Sequence, residues 1–414
     1  MGGNQRRDTA LSQFWPYIMI LRFAGTRPLC VNKTFPGTGN TRIKLGFKFF
    51  SPLFFYSIVM SSASFYTFFM MTLNWMFKIY WPQKLFYEHP MLVARDYENP
   101  MGLLISKLFM LNHCSFPLTR IVVIWSQITN FRPIANHIED MIQIYEDLQK
   151  HWENRGQEFS STIRRNILHI ILISMVMPLV SLIPLITEIF LKGQPVSPVV
   201  SNEPFMLFFL IQTTCVFVDD ADLHIQCKIV SEVYHQIEMM IGDTRRFNGI
   251  NLVQVRIWHQ FLHRNRRLCF KIGKVTKIPQ LFAILNLNVG AILFLYSVIE
   301  TLNPVKDHNN HNILMATFVS LTFSVVLLYA KTLRAESVTK SEASLNQALF
   351  SLTNDMESPE VQLELKEMQS TMITAPTAIT LGSYAKLNQG IFLTLSTQVV
   401  TYLIVLLQFG KAAP

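Results

Sequence analysis

Seven long apolar stretches set the class of this chain before any motif is read. A bilayer core about 30 Å thick takes roughly 20 apolar residues in helix to cross. Stretches of that kind run at about 49–77, 101–127, 167–191, 204–221, 278–302, 313–333 and 387–409. In lipid each backbone amide needs a partner inside its own segment, so each stretch is expected as a helix. Composition agrees. Charged residues make up 15% of the 414, against about 25% in a soluble domain, and the mean hydropathy is +0.28. High hydrophobicity excludes a disordered chain. Five Cys exclude a disulfide scaffold, and 16 Gly with 19 Pro exclude a collagen-like or low-complexity sequence. The expected fold class is an all-α integral membrane protein with seven transmembrane helices. The second stretch is the weakest, since it holds Lys107, His113 and Arg120. Lys107 and Arg120 lie near its ends and are expected to snorkel to the interface.

Lys and Arg orient the spans. The segment before the first span holds eight of them, and the second, fourth and sixth connections hold five, ten and four. The alternate side holds five in all: Lys84, Arg95, Lys192, Lys306 and Lys411. The topology expected is therefore inverted, with a cytoplasmic N-terminus and an extracellular C-terminus. The long connections, about 128–166, 222–277 and 334–386, then become cytoplasmic helical extensions. The net charge of +9 belongs to those connections, so nucleic acid is not expected as a partner. Asn32-Lys33-Thr34 is the clear glycosylation triplet, and this topology hides it from the glycosylating compartment. All five cysteines fall in spans or on the cytoplasmic side, where no extracellular disulfide forms.

The N-terminal run from Trp15 to Gly25 is broken by Arg22 and has no small-residue cleavage site after it. It reads as a short helix at the membrane surface rather than a cleaved signal. Between 222 and 277, Ile229, Val233, Ile237 and Met240 repeat at helical spacing. Leu252, Val255, Trp258, Phe261, Leu262 and Leu268 form a second such stripe, and Asn248-Gly249 separates the two as a helical hairpin. Pro359 marks a helix start, followed by Glu360, Glu364 and Glu367, expected as an ordinary solvated face. His259 and His263 have metal-ligand spacing, but Arg264, Arg266 and Arg267 crowd them with positive charge, so no metal is expected. A phosphate loop, dinucleotide fingerprint, nucleophile elbow and catalytic carboxylate pair are all missing from the sequence. So is the matched pair of broken helices that transporters carry. An enzyme is not expected, and no cofactor is implied.

The seventh stretch ends Thr401-Tyr402-Leu403-Ile404-Val405-Leu406-Leu407-Gln408-Phe409. This resembles the TYhhhhhQF signature that closes insect gustatory receptors, where h is hydrophobic. All four fixed letters match at the right spacing. Upstream, Pro376, Gly382-Ser383-Tyr384 and the run 387–398 resemble that family's approach to its last span. Leu21-Arg22-Phe23-Ala24-Gly25 with Pro28 resembles its opening helix and turn. Between spans one and six the likeness is architectural.

The resemblance implies a tastant-gated non-selective cation channel of the plasma membrane, a homo- or heterotetramer, with membrane lipid around it. It implies a pore lined by the seventh span, a tastant pocket in the outer halves of the other spans, and shared cytoplasmic anchor helices. In that frame Gln408 contacts hydrated cations and Phe409 forms an apolar gate that works by dewetting. Thr401 and Tyr402, two turns deeper, hold the helix against its neighbours. Asp219, Asp220 and Asp222, at the inner end of the fourth span, are candidates for a vestibule that concentrates cations. Polar and aromatic residues at membrane depth supply the ligand-pocket candidates: Asn112 and His113; Thr187 and Glu188; Phe208, Phe209 and Gln212; Tyr296 and Glu300. The chain divides into a cytoplasmic segment (1–48), spans one to six with their extensions (49–333), a cytoplasmic loop with an anchor helix (334–386) and the pore-lining span with a short tail (387–414). The alternatives are an insect odorant receptor subunit, built alike in its last span, and a G-protein-coupled heptahelical receptor, which requires an external N-terminus.

Overall fold

The computed structural model describes residues 10–23, 29–34, 42–47, 51–77, 117–155, 159, 162–181, 203–246, 250–301, 311–354, 358–382 and 384–412. The elements are α1 (Ala10–Phe23), β1 (Leu29–Thr34), β2 (Arg42–Phe47), α2 (Pro52–Phe77), α3 (117–129), α4 (Phe131–Asn154), α5 (Ile163–Ser181), α6 (Glu203–Arg246), α7 (Leu252–Val275), α8 (Lys277–Thr301), α9 (His311–Asn354), α10 (Pro359–Thr374), β3 (Thr380–Leu381), β4 (Ala385–Lys386) and α11 (Gly390–Ala412). Helix dominates, as expected. The strands form two small antiparallel hairpins, β1 with β2 and β3 with β4. Asn32 sits in the first, opposite Lys44.

The helices of the fourth and sixth apolar stretches continue without a break into the connections that follow them. α6 and α9 each run 44 residues, and at about 1.5 Å per residue that is twice a bilayer core. Below the apolar stretch α6 buries Ile229, Val233, Ile237 and Met240, the stripe read from the sequence. α7 buries Val255, Trp258, Phe261, Leu262 and Leu268, and α4 adds Ile138, Met141, Tyr145 and Leu148. Each such side chain contributes about 1.5–3 kcal/mol of burial. α7 begins where expected, with the Asn251 side chain accepting the Val253 amide. It meets α8 at a 53° bend, where the Thr276 amide and hydroxyl both return to the Ile272 carbonyl. α10 begins at Pro359.

The helices of the apolar stretches turn large side chains outward: Phe55, Val59 and Phe65 on α2, Leu172 and Ile173 on α5, and Val326 on α9. Water penalises such faces and lipid does not. Among the described residues no single helix taken alone is long and apolar enough to cross a membrane; α7 and the first part of α8 meet the requirement as a bent pair. Residues 101–116 and 182–191, in the second and third apolar stretches, lie outside the described residues.

α1 is packed into the protein on one face. It rests on α4, α5 and α6, burying Phe14, Tyr17, Ile18 and Leu21. The Phe14 ring meets Tyr145 edge-on at 5.5 Å, and Tyr17 Oη donates to Asp222 Oδ1 at 2.5 Å. The opposite face leaves Trp15, Met19 and Phe23 exposed.

Candidate functional site

The exposed side of α11 carries a row of polar residues. Thr394, Thr397, Thr401 and Gln408 are all exposed and recur at steps of three, four and seven, so they share a face, and the exposed Gln398 lies beside Thr397 at its edge. Leu393, Thr394, Thr397, Gln398, Thr401 and Tyr402 line an open groove of about 460 Å³. The hydroxyls of Thr397 and Thr401 donate back to the carbonyls of Leu393 and Thr397, at 2.9 and 2.8 Å. With their protons engaged, the threonine oxygens present lone pairs outward. Such a surface suits a hydrated cation, and its Gln398 and Gln408 amides are costly against lipid. Gln408 and Phe409 occupy the last turns of α11; the Phe409 side chain lies outside the described residues. Tyr402 is 58% exposed, so within one chain it does not pack against a neighbouring helix.

The acidic residues at the C-terminal end of the fourth apolar stretch each meet a partner on another helix. Asp219 pairs with Arg120 of α3 at 2.8 Å, and Asp220 pairs with Lys331 of α9 at 2.6 Å. Gln280 of α8 reaches Asp220 at 3.4 Å. Asp222 accepts from Tyr17 and from Gln226, which meets His137 of α4 at 2.9 Å. Arg120 does not snorkel as expected. It is 1% exposed, because a carboxylate inside the bundle satisfies the guanidinium where lipid cannot. Lys107 lies outside the described residues. Just below, burial holds the His224 imidazole at a pKa of about 4, with Lys331 and Arg334 adding to that effect and Asp220 opposing it.

A connector from Ala375 to Gln389 leads into α11, and its backbone is gripped from two sides. On α9, Thr339 Oγ1 donates to the Thr377 carbonyl at 2.7 Å. Glu342 accepts the Thr377 amide at 2.5 Å and its hydroxyl at 2.6 Å. Glu336 accepts the Gln389 amide at 2.9 Å. On α7, Arg266 donates to the Ala375 carbonyl and pairs with Glu342 at 3.3 Å. Gly273 lets the Thr380 backbone approach so closely that a Cβ there would lie 1.8 Å from its oxygen. The β3–β4 turn uses Gly382 at φ +64°, and Lys277 lies 4.5 Å from the Tyr384 ring. Tyr234 completes the node, 3.1 Å from Thr377 Oγ1. Burial raises its phenol well above the usual range, with Cys269 and Glu342 adding to the rise. Burial also pushes the Cys227 thiol up to about 12. Both properties belong to a structural core.

The remaining candidates are dispersed. Asn112, His113, Thr187 and Glu188 lie outside the described residues. Phe208, Phe209 and Gln212 are on α6, and Tyr296 and Glu300 on α8; their side chains lie outside the described residues. α6 and α8 both pack on α9. His259 Nδ1 lies 2.6 Å from Glu364, so one acid of α10 leaves the solvated face expected for it. His263 meets Arg267 instead of sharing a ligand with His259. Among the described residues no cluster of three metal-ligating side chains occurs.

Sequence reading missed the clamp residues Glu336, Thr339, Glu342, Arg266 and Gly273. Their partners are main-chain atoms far along the chain, which leave no pattern in a sequence. The Arg120 and Lys331 pairs had a signal: two cations inside apolar stretches, and acids to match them at the end of a third.

Comparisons agree with this architecture. A family model described as 7tm Chemosensory receptor matches residues 35–413. The structure of the insect olfactory receptor OR5 from Machilis hrabei superposes with a TM-score of 0.62 at 14% identity, covering 97% of this chain and all of that one. The same receptor in complex with eugenol gives 0.60 at 12% identity, with the same coverage. These likenesses carry the fold, that of an insect seven-transmembrane receptor. A comparison of the sequence with curated proteins gives no match.

Proposed function

Because the chain belongs to the 7tm chemosensory receptor family, a family of multi-pass membrane proteins, we propose that it is a gustatory receptor. In this reading it is a tastant-gated, non-selective cation channel of the plasma membrane. Four copies, alone or with related subunits, surround a pore lined by α11. The termini lie as the basic residues indicate, inside at the N-terminus and outside at the C-terminus. The observation that carries the reading is the exposed polar row on α11, which needs water or another subunit beside it. The Thr401-Tyr402…Gln408-Phe409 signature favours taste over smell. In the pore Gln408 contacts the passing cation and Phe409 closes the path. The tastant enters a pocket in the outer halves of the spans, among the polar and aromatic candidates read from the sequence. We assign Asp219 and Asp220 to fastening the inner ends of the spans, since Arg120 and Lys331 neutralise them.

Patch recording with a tastant panel tests this. Gln408→Ala is expected to change unitary conductance or ion selectivity with surface expression intact, and unaltered currents would remove its pore role. A second reading, an odorant receptor subunit, is favoured by the likeness to an olfactory receptor fold. Response to volatile ligands but to no sapid ones would select it.

A further inference from the structure

The connector that leads into α11 is held by its main chain, and the three α9 residues that hold it lie at steps of three. Glu336, Thr339 and Glu342 therefore share one face of the helix. Each meets a backbone atom of the connector: the Gln389 amide, the Thr377 carbonyl and the Thr377 amide. α9 has neither Pro nor Gly between His311 and Asn354, so nothing in its sequence sets a hinge. Its first part is the sixth apolar stretch, and α9 as a whole packs on α6 and α8, the helices that carry five of the nine pocket candidates. The connector itself is stiff. β3 and β4 pair, the Leu387 amide returns to Ile379, and Gly273 seats Thr380 against α7. The last contact, Glu336 with Gln389, sits one residue before α11 begins, at the positive end of its helix dipole.

Resting on the channel reading, we propose that Glu336, Thr339 and Glu342 are positioning residues that couple the sixth span to the pore helix. Movement of the first part of α9 on ligand binding reaches the connector as a rigid shift. The clamp passes that shift to the first turn of α11. The coupling acts through backbone atoms at the Thr377 amide and carbonyl and at the Gln389 amide, with the Thr377 hydroxyl as the one connector side chain that Glu342 also holds.

The test is patch recording of the full-length chain with sucrose, denatonium and dissolved carbon dioxide as probes, alongside surface biotinylation. Thr339→Val and Glu336→Ala each remove one bond to the connector. Each is expected to move the gating equilibrium about tenfold toward closed, the factor carried by one such hydrogen bond. The activating concentration then rises while unitary conductance and surface level stay at wild type. Thr339→Ser and Glu336→Gln keep the donor and the acceptor and are expected to restore wild-type gating. Both sites are half-buried, so these variants remain informative if a change at the buried Glu342 fails to fold. Wild-type gating in both Thr339→Val and Glu336→Ala, or failed rescue by the conservative variants, overturns the clamp and leaves the channel reading standing. Wild-type silence toward all three probes overturns the channel reading and the clamp with it.

Discussion

Replacing Lys331 with Met leaves Asp220 buried without its cation, and the structure sets the cost. The pair is 2.6 Å apart, with the two side chains 4% and 10% exposed. Met fills similar volume, so the loss is electrostatic. What remains near Asp220 is the Gln280 amide at 3.4 Å and the His224 imidazole, which burial keeps neutral; neither balances a carboxylate. Removing one partner of a buried pair costs about 3–5 kcal/mol, whereas removing both is often close to neutral. Lys331→Met is thus expected to lose about that amount, and Lys331→Met with Asp220→Asn to recover most of it. At about 1–2 °C per kcal/mol for a chain of this length, the single variant's Tm falls by roughly 3–10 °C. Thermal unfolding of a fluorescent fusion in detergent, read by size-exclusion chromatography, measures both variants. As a control, breaking His235–Glu238, a 3.8 Å pair with side chains 58% and 34% exposed, is expected to change little. A double variant as unstable as the single would refute the reasoning, because the penalty would not then come from an unpaired charge.

Three further outcomes are expected. Gly273→Ala drives a Cβ into the Thr380 backbone and is expected to cost about 3 kcal/mol or more; Gly242→Ala, with nothing within 4 Å, is expected to be neutral or stabilising, and equal Tm values for the two would contradict this. Tyr17→Phe removes the bond to the Asp222 carboxylate and is expected to cost about 1.5–3 kcal/mol, seen as a lower Tm and faster proteolysis near α1. His224, whose Nε2 has no hydrogen-bond partner, has its folded pKa lowered to about 4 from 6.5. Proton uptake therefore favours the unfolded chain, and stability falls as pH drops from 6.5 toward about 4. His224→Gln should flatten that part of a Tm–pH profile, and an unchanged slope would assign it to other groups.

The hairpin of α6 and α7 was legible because both helices bury one stripe each, and a stripe repeats at helical spacing. The Pro359 start was legible because proline acts on the backbone beside it; Asn248 and Gly249 lie outside the described residues, between the end of α6 at Arg246 and the start of α7 at Leu252. The position of α1 was half legible. Its apolar residues pointed to a surface helix, but burial of Phe14, Tyr17, Ile18 and Leu21 depends on α4, α5 and α6, elements 100 or more residues away. Glu364 shows the same limit in reverse. A run of acids looks solvated until His259 arrives from another helix.

What the sequence determined by itself is the set of apolar segments, their helical form, and the terminal signature that places the chain among chemosensory receptors. These follow from local rules, since a segment's hydrophobicity and spacing act without knowledge of its neighbours. Tertiary structure alone decided which charges meet. Arg120 finds Asp219 and Lys331 finds Asp220 across helices, and Glu342 finds the main chain at Thr377. Pairing of buried polar groups is settled by distance in space. A charge that reads as a liability in its own segment is satisfied only when the fold delivers the opposite one.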